Sequence, residues 1–148
     1  MARNLKRISP AIRSKIGGAK VARFATLDSK MRPHIVPVCF VYDGSAFYTP
    51  IDKKPKCLAP EKLARIQHIG ANSQVALLID EYREDWSKLW WILIRGKAKL
   101  IPKSASKAHA RAIRQLKSKY RQYRTGLLPD DAPIIRITPV RIALWGKF

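Results

Sequence analysis

The sequence is short of acid. Only ten aspartates and glutamates stand against thirty lysines and arginines in 148 residues, a formal net charge of +20. That imbalance points to a polyanionic ligand, to nucleic acid, to an anionic membrane surface, or to a proteome that is basic throughout. Cysteine is scarce too. Cys39 and Cys57 do not suggest a disulfide framework, and Cys39 falls in an apolar strand pattern that reads as a buried thiol. Long apolar runs are missing: no stretch approaches the roughly 20 residues needed to span a bilayer. No apolar run of signal-peptide length follows the basic N-terminus. The expectation is a cytoplasmic protein with no membrane partner.

Catalytic motifs are also absent. His34, His68 and His109 are far apart in the chain, and neither Cys-x-x-Cys nor His-x-x-x-His occurs, so no metal site is expected. A lone histidine is more often structural than catalytic, and all three are read that way. There is no Gly-x-Gly-x-x-Gly or Walker loop and no Gly-x-Ser-x-Gly elbow. The four acids of residues 80–85 have no partner that suggests general acid–base work. An enzyme built on side chains alone is therefore poorly supported, and any chemistry falls to a cofactor.

What is present is a core. Hydrophobic residues make up 47% of the chain, enough for one folded domain spanning residues 1–148. Ser9-Pro10 reads as an N-cap and first-turn proline, with Ile12 and Ile16 on one helix face and Gly17-Gly18 ending it. Residues 20–27 read as a strand, with Val21, Phe24 and Leu27 apolar around Ala22 and Ala25. A turn at 28–33 leads to a strand over 34–42, and Asp43-Gly44 signals a hairpin completed by 45–49. A helix is expected over 60–71 with Leu63, Ile66 and Ile69 inward and Asn72 at its end. Residues 74–80 read as a strand buried on both sides. A long strand follows over 88–101, where Gly96 suggests a bulge or sharp bend.

Residues 104–120 read as a helix. Ala105, Ala112, Ile113, Leu116 and Tyr120 form its apolar stripe, beside a basic stripe of Lys103, Lys107, Arg111 and Arg114. A loop over 121–132 precedes two final strands, 133–139 and 140–145. Six or seven short antiparallel strands with about three peripheral helices make a mainly β (α+β) barrel rather than a layered α/β sheet.

Two stretches stand out chemically. Between the strand ending at Thr49 and the helix starting near Pro60 lies a loop carrying Lys53, Lys54 and Lys56. Three ammonium groups beside a helix N-terminus suit a phosphate. The second is Trp86-Ser-Lys-Leu-Trp-Trp. In a strand Trp90 and Trp91 face opposite sides, so one can pack in the core while the other lines a pocket or a subunit interface.

Taken together these runs resemble the split β-barrel flavin- and deazaflavin-binding family related to pyridoxamine 5′-phosphate oxidase. The resemblance rests on residues 22–26, Arg32-Pro-His-Ile-Val-Pro-Val-Cys-Phe, Asp43-Gly-Ser-Ala-Phe-Tyr-Thr, Asp52-Lys-Lys-Pro-Lys and Gln74-Val-Ala-Leu-Leu-Ile-Asp. Glu84-Asp-Trp-Ser-Lys-Leu-Trp-Trp is its most specific part and is similar to the probable F420-dependent subgroup. Trp145-Gly also fits, and the likeness covers about residues 15–147.

The resemblance implies a homodimer with cofactor sites at the interface. The ring would lie along Val36, Pro37 and Val38 and along Tyr48 and Thr49. The phosphate would meet Lys53, Lys54 and Lys56, with Lys62 helping, and Trp86, Trp90 and Trp91 would lie near the ring or the dimer seam. The expected cofactor is coenzyme F420, with flavin mononucleotide (FMN) as the alternative, in an oxidoreductase that passes hydride between the ring and a small electron-poor substrate. No proton donor is assigned; His34 and Tyr48 are the candidates. The basic excess of residues 95–124 exceeds what such an enzyme needs. It keeps a nucleic-acid-binding module as the rival reading, with Tyr120 and Tyr123 beside the cations. A non-catalytic cofactor carrier or haem-binding relative of the same fold is a third.

Overall fold

Alternating burial along successive strands builds one antiparallel sheet. A computed structural model describes residues 2–3, 8–52, 60–102 and 107–148, and the side chains of all of these except 2–3 and 60–63. The elements are β1 (Ala2–Arg3), α1 (Pro10–Gly18), β2 (Ala22–Leu27), β3 (Pro33–Val38), β4 (Val41–Tyr42) and β5 (Phe47–Pro50). Then come α2 (Pro60–Ala71), β6 (Gln74–Glu81), β7 (Trp90–Ile101), α3 (Lys107–Lys119) and β8 (Ile134–Gly146). The strand order is β3-β2-β6-β7-β8-β5-β4, with β1 added to β8. The two ends of this path, β3 and β4, are consecutive in the chain and separated only by Cys39 and Phe40. The sheet therefore curls back on itself, giving the mainly β split barrel that the sequence suggests.

Local chemistry sets the corners. Ser9 caps α1, its hydroxyl accepting from the Ile12 amide, and Ile12 and Ile16 are buried. Asp43 turns the β4–β5 hairpin by accepting from the amides of Ser45 and Ala46, both at 2.8 Å, while Gly44 takes φ +100°. A Cβ at Gly96 would collide with the Thr138 carbonyl oxygen, so only glycine lets β7 and β8 approach there. At that point the ladder shifts register: Arg95 pairs with Arg141 and Gly96 with Pro139, leaving Val140 as the extra residue of a bulge.

Several expectations need correction. The two final strands are one, β8, because the bulge bends it without ending it. The expected 34–42 strand breaks at Cys39-Phe40, where β3 stops pairing with β2 and β4 begins pairing with β5. Along β2 the inward residues are Ala22, Phe24 and Thr26. Val21 and Leu27, an odd number of residues from Phe24, are not on that buried face. β6 is fully buried on one face and partly covered on the other. β7 starts at Trp90, because Asp85 caps a single 3-10 turn over Trp86–Lys88. The expected inward Leu63, and Ala105 and Lys103 of the helical stripes, fall outside the described side chains.

Two packed regions result. The barrel interior holds Phe24, Phe40, Phe47, Leu77, Ile79, Ile92, Ile94 and Ile137. A second cluster lies under α3, where Ala112, Ile113, Leu116 and Tyr120 meet Val41, Tyr48 and Ile134. Hydrophobic spacing along α3 thus marks its buried face as expected.

Candidate cofactor site

The bend at Cys39-Phe40 interrupts the ladder, so its backbone groups need other partners. Tyr120 supplies them. Its hydroxyl accepts from the Phe40 amide at 3.0 Å and lies 2.9 Å from the Lys20 carbonyl and 3.1 Å from the Phe40 carbonyl, to which it can donate. Lys119 donates to the same Phe40 carbonyl at 3.0 Å, with its ammonium 3.9 Å from the Phe40 ring centroid. Burial, helped by the neighbouring charge of Lys20, lowers the Lys119 pKa to about 8. Burial pushes Tyr120 well above the ordinary phenol range.

Beside this bend a cleft of about 210 Å³ opens, lined by Val21, Pro37, Val38 and Cys39, by Pro50 and Asp52, and by Arg65 and Tyr123. Here β3, the end of β5 and α2 meet, at the two ends of the segment that carries the lysines. Tyr123 donates to the Asp52 carboxylate at 2.8 Å. Burial pushes the Tyr123 pKa up, and the Cys39 thiol and the Asp52 carboxylate push it further. Cys39 is half-buried rather than buried. Arg65 is only 8% exposed, so a full positive charge sits in a largely dry wall of the cleft. A buried guanidinium suits an anionic partner such as a phosphate or carboxylate.

The sequence-predicted residues distribute as follows. Pro37 and Val38 line the cleft, and Val36 is half-buried beside them on β3. Tyr48 and Thr49 are buried on β5. Tyr48 points under α3 and donates to Asp43 at 3.0 Å; its pKa is raised, mainly by burial. Thr49 has a buried hydroxyl with no hydrogen-bond partner among the described residues. Lys53, Lys54 and Lys56 lie outside the described residues, as does Cys57, and of Lys62 only the backbone, within α2, is described. The three tryptophans do not form one wall. Trp90 is in the barrel core, donating to Glu81 at 2.8 Å. Trp91 is half-buried on the opposite face, directly across from Trp145. Trp86 is 70% exposed on its 3-10 turn.

Residue spacing alone missed three features. Arg65 and Tyr123 enter the cleft from segments far from β3. His34 and His68, distant in sequence, meet edge to face with ring centroids 5.2 Å apart. His68 Nδ1 lies 2.8 Å from the Thr26 hydroxyl, while the buried His34 Nδ1 has no partner among the described residues. The pairing of Thr26 with His34 across β2 and β3 and the helical phase of α2 bring them together, which no local pattern signals. His109 is buried in α3, its Nε2 2.8 Å from the Ala132 carbonyl, consistent with a structural role. Among the described residues no group of three or more His, Cys, Asp or Glu side chains could hold a metal. No described helix is long and apolar enough to cross a membrane.

A larger cleft, about 600 Å³, lies on the outer face of the sheet between Ala25, Leu27, Ala76, Val140 and the cations Arg95, Lys97 and Arg141. It shares none of the predicted cofactor positions. The smaller cleft is the better candidate because it joins strand backbone, a buried guanidinium and both ends of the lysine segment.

The sequence profile of the family described as pyridoxamine 5′-phosphate oxidase matches residues 8–146. No protein of curated function matches the sequence significantly. Among solved structures, HutZ, described as a haem storage protein of Vibrio cholerae, superposes with a TM-score of 0.71 at 18% identity, covering 95% of both chains. A conserved hypothetical protein of Mycobacterium tuberculosis gives 0.71 at 16% identity, covering 99% of this chain and 89% of that one. An FAD-binding protein of Mesorhizobium loti gives 0.63 at 17% identity, covering 97% and 95%.

Proposed function

Because the chain belongs to the pyridoxamine 5′-phosphate oxidase family, we propose that it is a homodimeric oxidoreductase that uses coenzyme F420, or FMN in its place, on a small electron-poor substrate. The observation that carries this reading is the cleft between Pro37-Val38, Asp52, Arg65 and Tyr123. Its donor set fits the cofactor: Arg65 offers a buried cation to a phosphate, and the lysines at 53, 54 and 56 follow directly on Asp52 in the chain. When bound, the ring supplies two-electron exchange with the substrate. The protein's own part is to anchor, orient and exclude water. Arg65 holds the anionic end. The exposed edge of β3 offers its backbone along Val36, Pro37 and Val38 to a flat ring. Tyr123, tied to Asp52, keeps the cleft wall fixed and its phenol protonated.

The homodimer is supported by the outer face of the sheet. Leu78, Leu93 and Ala143 form one cross-strand row there, next to the Trp91–Trp145 pair, and Ile35 at the β3 end is 64% exposed. Apolar side chains gathered in this way suit burial against a second copy.

Fluorescence titration with F420 and with FMN tests the reading. F420, with its phosphate and carboxylate-rich tail, should bind more tightly, and Arg65→Met should weaken it at least tenfold. Equal or tighter FMN binding overturns the preference for F420. Failure to bind either, with a Soret band on adding haem, overturns the oxidoreductase reading in favour of haem carriage.

A further inference from the structure

The cofactor cleft leaves the largest electrostatic feature of the chain unused. Residues 95–124 contain eleven cations and no acid, and five of the eleven lie on α3. Lys107, Arg111 and Arg114 are exposed, at helical spacings of four and three residues, and exposed Ser118 and Arg121 continue the line. At about 1.5 Å rise per residue the first three cover about 10 Å, the length over which one nucleic-acid strand presents about three phosphates.

Among the described residues none of these four cations takes part in an ion pair. Ion-paired acids among the described residues sit elsewhere, in pairs such as Asp28–Arg32, Asp80–Arg23 and Glu81–Arg83. On α3, among the described residues, only Lys117 on its flank pairs with an acid, Asp130. The charge continues from the helix onto the sheet. Arg136 lies directly opposite Lys99 across β7 and β8 and opposite Tyr48 across β5 and β8. Arg136 and Arg111 both act on the Tyr48 phenol, where their positive charges favour the ionised form. Like charges directly opposite in a ladder are destabilising, and among the described residues the buried Arg136 Nε finds no acceptor. Asp43 is the nearby acid, and its carboxylate is taken by Ser45, Ala46 and Tyr48. The fold therefore maintains a row of uncompensated cations at a cost in self-repulsion.

We propose that this row, Lys107, Arg111 and Arg114 with Arg136 and Lys99 beside it, docks the phosphate backbone of a nucleic acid without reading its bases. Tyr120 and Tyr123, expected from the sequence to lie beside the cations, are buried at 7% and 4% exposure and cannot stack on bases. No large hydrophobic residue of α3 or of the 3-10 turn after it is exposed, so the surface lacks the apolar anchors of a membrane-inserting helix.

The test is fluorescence anisotropy of a labelled 20-base-pair duplex of arbitrary sequence with the full chain, over a salt series. About four neutralised phosphates predict a slope of log K against log salt of about −3 to −4. Arg111→Glu with Arg114→Glu should weaken binding more than tenfold and make the slope shallower by about two. Lys30→Glu with Lys147→Glu makes the same change in net charge on exposed residues of the β2–β3 turn and the C-terminus, and should change affinity less than threefold. Equal losses in the two double variants would reduce the effect to overall charge and overturn the proposal. So would absence of duplex binding at low salt, or binding to phosphatidylserine vesicles, instead of the duplex, that depends on Arg111 and Arg114. F420 affinity, read on the same variants, should stay unchanged, which separates this surface from the cofactor cleft.

Discussion

The barrel wall is held in two places by opposite means. Along β7 and β8 it is held by backbone: twelve registered pairs run from Trp90–Gly146 to Ile101–Ile134, and Gly96 allows the strands to close up. At Cys39-Phe40 the ladder fails and side chains take over, with one phenol and one ammonium serving the Phe40 amide and carbonyl. The backbone seam keeps its pairing on both sides of a single bulge at Val140. The side-chain seam is irregular, and the candidate cofactor cleft opens beside it. The candidate site thus lies where regular pairing ends and side chains satisfy the wall instead.

Breaking the first seam should have the largest effect. Gly96→Val puts a branched side chain against the Thr138 carbonyl and should cost about 3 kcal/mol or more, read as a fall in the urea midpoint. An unchanged midpoint would mean that the close approach is dispensable. At the second seam, Tyr120→Phe should cost about 1–3 kcal/mol, since it strands the Phe40 amide and takes a donor from the Lys20 carbonyl, while Lys119 still serves the Phe40 carbonyl. It should also weaken cofactor binding and speed hydrogen exchange at Phe40. A loss of stability with cofactor affinity intact would separate the cleft from the seam.

The smallest expected effect is on pH dependence. The Lys119 pKa is lowered to about 8 from 10.5, so between those values the unfolded chain holds more proton than the folded one. Stability should rise with pH over that window, until Tyr120 and Tyr123, whose pKa values are raised above 10.0, begin to reverse the trend above pH 10. Lys119→Met should flatten the slope between pH 8 and 10; an unchanged slope would assign it to another group.

The two seams also divide what could be read from the chain. Gly96, Asp43-Gly44 and the helix Pro60–Ala71 were legible because turn chemistry, sterics and helical phase are local. The opposite facing of Trp90 and Trp91 followed from strand alternation. The joining of β8 into one bent strand was not legible, because a bulge at Pro139 and Val140 looks like a break until its partner is known. The seam at Phe40 was hidden for a stronger reason. Its partner Tyr120 lies 80 residues away, and Arg65, Tyr123 and the His34–His68 contact come together only when α2 and α3 dock. The lysines that first suggested a phosphate site fall outside the described residues, so their part in the cleft rests on sequence.

That separation of 80 residues bears on time as well as on shape. The β6–β7 hairpin can pair as soon as its own residues are available, whereas the bond from Tyr120 to Phe40 requires closing a loop of 80 residues. The cleft, which takes Tyr123 from beyond α3, should therefore form after that hairpin. A chain captured before α3 docks would already hold the hairpin and would lack one wall of the cleft.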